Sequence, residues 1–362
     1  LNFGASGLYR VKYLDSHVAT IGRILENNLN TFAVGDRVMF INDAYSLTSA
    51  GLGSISTVLN TIKSLKYETD YNVLVQIAST LGTLRTNSYL EPQPVIDGLK
   101  ALGRSVFSHK VEELGYEFPE GDDYFTGQTR ALAIGAAERS GDESVKQELK
   151  ARFDRFVAGE TSALHPEIRP VAFRSVLSNV TAENAEDTFA AVLAFYMDPS
   201  TQADAKDDVL RVLGAVNSTE HVDRLLNVLT FDQDIVKSQD FHGPMMGIVQ
   251  SNPNLAVTRP LVAQWFKNNW ESKIFPLFAT GFGMLGNVFS VAWSSSIGED
   301  VVEDMRAWAH GDGLDEAGVA ARVKSVEGIK RRIDQVAESI LTKSKLIERE
   351  RENLAAWVAE SL

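Results

Sequence analysis

Cysteine is absent from the 362 residues. A disulfide framework, a cysteine-ligated zinc site and a thiol nucleophile are therefore excluded. Positive charge is in short supply: 35 Lys and Arg against 48 Asp and Glu leave a formal net charge of -13 and a pI near 5.0. Nucleic acid and anionic membrane surfaces both require a basic face, so neither is an expected partner. Long apolar runs are also missing. The richest, Ile274 to Phe289, is broken by Pro276 and by glycines, well short of the ~20 residues that cross a bilayer. The opening Leu1-Asn2-Phe3-Gly4 has no Met and no basic-then-apolar signal pattern. These features set two expectations, that the chain is a piece of a longer or processed protein and that its compartment is the cytoplasm.

Complete catalytic signatures are lacking too. There is no His-Glu-x-x-His, no P-loop and no Gly-x-Ser-x-Gly elbow; Gly4-Ala5-Ser6-Gly7 comes nearest and has the wrong spacing. His109 and Glu113, four residues apart, could supply half a zinc site on one helix face, but no second pair accompanies them. They read as an exposed helix pair. His242, beside Gly243-Pro244, reads as a hydrogen-bonded loop residue. The stretch Gly281-Phe282-Gly283-Met284-Leu285-Gly286 matches the dinucleotide fingerprint letter for letter, with Asp300, Glu303 and Asp304 about 20 residues on. That fingerprint has meaning only after a strand in a βαβ unit, where a helix start meets a pyrophosphate. Helical patterns flank it here, so it reads as a glycine-rich loop between helices. No catalytic residue, metal ligand or cofactor is assigned to this chain.

What the sequence does have is helical period. Val18, Ile21, Ile24, Leu25 and Leu29 recur at that spacing, as do Val38, Ile41, Ala44 and Tyr45 up to Ala50-Gly51. Ser54 caps a third helix, Tyr71 to Leu84 gives a fourth, and Pro92 or Pro94 opens a fifth that reaches about Leu114. Gly115 to Asp123, acidic and rich in turn formers, is the candidate linker. Further pairs follow: Thr129–Ala137 with Glu143–Val157, Ile168–Asn179 with Ala185–Tyr196, and Lys206–Leu213 with Val222–Leu229. Each pair occupies roughly 35–40 residues, within the range of HEAT-like repeats. From Leu314 to Leu362 the pattern is nearly unbroken charged helix, with Glu348 to Glu352 as a solvated face and Trp357 as a packing anchor.

Two stretches depart from this. Leu8 to Tyr13 alternates like a strand, and one strand needs a partner. It reads as the last strand of a sheet domain upstream. Without that domain, residues 1–13 are expected to be disordered or docked on a neighbouring molecule. Val236 to Gly298 is broken by Gly243-Pro244, Asn252-Pro253, Pro276 and the glycine cluster, and is where a functional surface is expected. Its aromatics Trp265, Trp270, Phe275, Phe278 and Phe282 read as core. The fold class expected is all-α, a HEAT-like superhelical array of helical hairpins with one short N-terminal β-strand, divided as residues 1–14 and 15–362.

Leu1-Asn2 with Gly4, Gly7, Tyr9-Arg10-Val11 and Tyr13 resembles the strand that closes the β-sandwich of gluzincin zinc aminopeptidases. This is the family of aminopeptidase N, puromycin-sensitive aminopeptidase and the endoplasmic-reticulum aminopeptidases. Asp36-Arg37 followed by Ile41, Asp43, Tyr45, Leu47 and Ala50-Gly51 resembles a motif early in that family's C-terminal helical domain. Leu210 to Ala215, Gln239-Asp240-Phe241, Asn252-Pro253 and Asn269-Trp270 resemble later landmarks in the same order. The resemblance implies a C-terminal domain that encloses the active-site cavity of a metallopeptidase and helps to bind peptide substrates. It implies the catalytic and β-sandwich domains as partners, and zinc in the parent enzyme but not in this chain, because the zinc motif is absent here. It implies Met284 and Ser296 as wall residues of the pocket for the substrate's first side chain. The alternative is a stand-alone HEAT-like scaffold that binds proteins along a concave face.

Overall fold

In a computed structural model the description covers residues 2, 4, 6–279 and 282–361, without the side chains of Asp15 and Phe282. Every regular element among the described residues is a helix. The chain divides into two compact units, residues 1–148 with 164–171 and 345–362, and residues 149–163 with 172–344.

The first unit holds α1 (Asp15–Asn27), α2 (Val34–Ser49), α3 (Ile55–Ser64), α4 (Tyr71–Asn87), α5 (Gln93–Leu114), α6 (Tyr124–Arg139) and the first turn of α7 (Glu143–Val157). The chain signals its own helix starts. The side chains of Ser54, Asp70 and Asp123 accept the amides of Ser56, Asn72 and Thr126, satisfying donors that have no intrahelical acceptor. Gly115–Asp123 is not a linker between compact parts: it joins α5 to α6, which pack side by side. Arg130 pins it, through Nε to the Leu114 carbonyl at 3.0 Å, an ion pair to Asp122 at 2.6 Å and a stack over Phe118. Arg37 of α2 is buried and pairs in a fork with Glu68, at 2.7 and 3.1 Å. Its Nη1 reaches the carbonyls of Leu29 and Phe32, and Glu68 also takes the amides of Thr69 and Asp70.

The last part of the chain is two helices, α17 (Glu316–Val326) and α18 (Lys330–Ser361), joined by a 3-10 turn at Glu327–Ile329. Residues 345–361 of α18 pack in the first unit. There the charged run is more than a solvated face. Glu350 is buried and accepts the Ile55 amide at 2.9 Å, capping α3 from 295 residues away. Arg351 forks onto buried Glu91, and Trp357 Nε1 donates to Asn60 at 2.7 Å.

Leu8–Tyr13 forms no strand; its first two residues bend and the rest lie outside regular structure. No sheet is present to pair it among the described residues. Instead α2 supplies carboxylates. Asp43 accepts the Val11 amide at 2.9 Å and pairs with Arg10 at 3.1 Å, and Asp36 accepts the Gly4 amide at 2.8 Å. Val11 is buried, whereas Leu8 is fully exposed. The segment thus has partners within its own chain.

The second unit contains most of α8 (Arg169–Ser178), then α9 (Ala185–Met197), α10 (Ala203–Leu213), α11 (Thr219–Asn227), α12 (His242–Ser251) and α13 (Leu255–Asn269). It continues through a π turn at Trp270–Ile274, α14 (Phe275–Phe278), α15 (Phe282–Trp293) and α16 (Glu299–His310), and ends with α17 and the first half of α18. Two glycines let α10 and α12 touch backbone to backbone. A Cβ on Gly247 would lie 1.8 Å from the Arg211 carbonyl oxygen, and one on Gly214 2.3 Å from the Ile248 nitrogen. Buried Asn252 then ties the α10 end to the start of α13, donating to the carbonyls of Gly214 and Val216 and accepting the Asn254 amide. Trp265, Trp270 and Phe278 are core residues, as their spacing suggests, while Phe275 is half-buried; the side chain of Phe282 lies outside the described residues.

Candidate functional site

Met284 and Ser296 mark out α15 and the segment after it. Met284 sits in the first turn of the helix and is half-buried; Ser296 follows its end and is buried. A helix of 12 residues is about 18 Å long, so the two stand at opposite ends of one element rather than side by side. Between them α15 presents two faces. Leu285, Val288, Phe289, Ala292 and Trp293 are buried in the unit. Gly283, Asn287, Ser290 and Val291 form the more open stripe, small or polar apart from Val291. The helix is packed against α12, α13 and α14, and Arg332 of α18 lies over Gly286.

The segment Ser294–Gly298 is held by α18. Lys343 Nζ donates to the Ser294 carbonyl, and Ser344 Oγ accepts the Gly298 amide at 2.9 Å. The Ser296 amide donates to the Trp293 carbonyl at 3.0 Å. Burial, reinforced by the positive charge of Arg259, pulls the Lys343 ammonium down from 10.5 to about 8. Arg259 is itself buried on α13 and donates to the Val249 carbonyl at 2.9 Å. Trp293 Nε1 is buried with no hydrogen-bond partner among the described residues.

The other candidates do not assemble into chemistry. His109 packs edge-on against Tyr67, and its imidazole is pulled down by burial and by Lys110; Glu113 pairs with Lys110 at 2.6 Å. Among the described residues no group of three or more His, Cys, Asp or Glu could hold a metal ion. His242 is the first residue of α12 rather than a loop residue, and its Nδ1 is buried without a partner among the described residues. In the fingerprint stretch, Gly281 lies outside the described residues. Gly283 and Gly286 fall inside α15, so this part is helix rather than the expected inter-helix loop, and α14 precedes it where the fingerprint demands a strand. A cavity of about 380 Å³ lies in the first unit between residues 11–13, α1, α2 and α3. Its walls include Val18, Ile21, Leu25, Phe40 and Leu47, and the titratable residues among its described lining are Lys12 and Tyr13. The hydroxyls of Thr48, Thr61 and Ser64 are turned onto backbone carbonyls.

A family model for the ERAP1-like C-terminal domain matches residues 1–331. The chain belongs to that family. It is similar to Aminopeptidase 2 of Candida albicans, 27% identical over 99% of this chain and 36% of that protein. It is similar also to the mitochondrial Aminopeptidase 2 of Saccharomyces cerevisiae, 24% identical over 100% of this chain and 35% of that protein. Aminopeptidase M1-D of Oryza sativa is 26% identical over 75% of this chain and 30% of its own length. The chain thus spans about a third of the length of these curated relatives. For a member of the ERAP1-like C-terminal domain family, the resemblance read from Asp36-Arg37, Asn252-Pro253 and Asn269-Trp270 now has structural content. Arg37 makes a buried ion pair with Glu68, Asn252 ties α10 to α13, and Trp270 is a core residue.

The positions that sequence reasoning missed are Lys343, Ser344 and Arg259. All three sit in ordinary helical patterns, and the partners of Lys343 and Ser344 lie 49 and 46 residues away in the chain, beyond any local signal.

Proposed function

We propose that this chain is the C-terminal helical domain of a zinc aminopeptidase, and that it walls the parent's active-site cavity and contacts peptide substrates. In this reading, residues 15–362 form the helical domain, a HEAT-like series of helix pairs. Leu8–Tyr13 forms no strand within this chain, and residues 1–14 would supply the last strand of the β-sandwich where that domain is present. Asp43 takes the Val11 amide, which leaves the alternating amides of Arg10 and Lys12 for a sheet. The catalytic and β-sandwich domains are the partners, and zinc belongs to the catalytic domain. The compartment expected for the parent is the cytoplasm; no helix of the described residues is long and apolar enough to cross a membrane.

The family match over residues 1–331 carries the proposal. The site geometry fits a wall rather than a reaction centre. The open stripe of α15 is about 18 Å long, room for roughly five extended residues of a peptide, and offers Gly283, Asn287, Ser290 and Val291, with no acid or base among them. Met284 would meet the peptide at one end of α15, and Ser296, in the segment beyond the other end, would border the pocket for the substrate's first side chain. Such a wall excludes folded proteins and can move against the catalytic domain between open and closed forms.

The test compares the full-length parent with this chain alone, measuring release of the first amino acid from short peptides and zinc content by mass spectrometry. The parent should release amino acids and carry stoichiometric zinc, and the isolated chain should do neither. Zinc-dependent release by the isolated chain, or a parent with no such activity, would overturn the proposal.

A further inference from the structure

The five residues Ser294–Gly298 join α15 to α16. Two consecutive residues of α18 hold both ends of them. Lys343 Nζ donates to the Ser294 carbonyl at one end. At the other, Ser344 Oγ accepts the Gly298 amide at 2.9 Å. The same hydroxyl donates to the Ile340 carbonyl at 2.8 Å, so its direction is fixed and its lone pair faces Gly298. Gly298 adopts φ 129°, and a Cβ there would lie 2.2 Å from Asp300 Oδ1, so the turn into α16 calls for glycine. Ser296 lies between the two clamped ends, with its side chain buried.

A lysine at 343 is not what helix packing alone would select. Its ammonium is half-buried beside the buried guanidinium of Arg259, an environment that opposes its charge. An apolar side chain of the same length would fill the space without that desolvation. The bond to the Ser294 carbonyl is what the ammonium supplies and an apolar chain cannot.

We propose that Lys343 and Ser344 are positioning residues, which fix the conformation of Ser294–Gly298 and through it the parent's selectivity for the substrate's first side chain. The selectivity half rests on the aminopeptidase reading; the clamp itself does not. A wall segment held at two points presents one shape to the substrate, and small displacements of such a wall change discrimination between side chains more than they change the chemical step.

Two measurements separate the parts. Amide exchange across 290–300 in this chain should quicken by about tenfold at Ser294–Gly298 in Lys343→Met and in Ser344→Ala, the loss expected for one hydrogen bond. In the full-length parent, the ratio of kcat/KM for a bulky against a small first residue should change by about tenfold, mainly through KM, in the same two variants. Lys343→Arg, which retains a charged donor, should keep the wild-type ratio. Unchanged exchange in both variants overturns the clamp. Faster exchange with an unchanged ratio overturns the selectivity role, as does an equal loss of kcat for every substrate. If Lys343→Met does not fold, Ser344→Ala removes the Gly298 contact alone and decides the question. A wild-type parent that releases no amino acid overturns the aminopeptidase reading and the selectivity role with it, while exchange still decides the clamp.

Discussion

Arg37 shows how much of this fold rests on single charged side chains. Its guanidinium is buried and spends its donors on Glu68 and two carbonyls, while Glu68, fully buried, takes two backbone amides besides. A pair satisfied on all sides can stay charged in the interior, but neither partner is tolerable alone. Arg37→Met should therefore destabilise the chain by about 3–5 kcal/mol, because Glu68 is left buried and unpaired. Denaturant unfolding checks this, and the added replacement Glu68→Leu should recover much of the loss. A single-variant cost under about 1 kcal/mol would mean the pair is hydrated. The sequence displayed Asp36-Arg37 as a motif but not its chemistry, since Glu68 lies 31 residues away. Glu350 makes the same point more sharply. It stands in a charge run that reads as surface, yet it is buried on the Ile55 amide.

At the scale of elements, the helices were legible where period and punctuation agree. Ser54, Asp70 and Asp123 cap as their residue types suggest, and Pro92 and Pro94 stand at the start of α5. Legibility failed where a long-range partner decides. The glycines at 283 and 286 look like a loop, but the helix containing them is apolar on its inner face and packing holds it together. Leu8–Tyr13 has strand alternation, yet within this chain it is captured by carboxylates of α2. The sequence leads to disorder or docking on a neighbour for residues 1–13; the Asp43 contact leads to protection at one amide. Hydrogen exchange on the dilute monomer should find the Val11 amide slowed relative to Leu8, and Asp43→Ala should release it by on the order of tenfold. Unprotected Val11 in the wild type would show that α2 does not hold the segment.

At the scale of the whole molecule, the family match over residues 1–331 places the chain among the ERAP1-like C-terminal domains. The family resemblance offers two positions for the candidate site, Met284 and Ser296. That they stand at opposite ends of α15, and that α18 grips the segment holding Ser296, required the tertiary arrangement. The central claim is that α15 lines the path of a peptide in the parent enzyme. The most direct measurement places a photoreactive side chain at position 284 of the full-length parent and maps where a bound peptide is captured. The account predicts capture at the peptide's first residues, competed by unlabelled substrate and lost when the peptide's N-terminus is blocked. Capture of no peptide from position 284, while a control photoreactive group at exposed Val157 captures it, would contradict the claim.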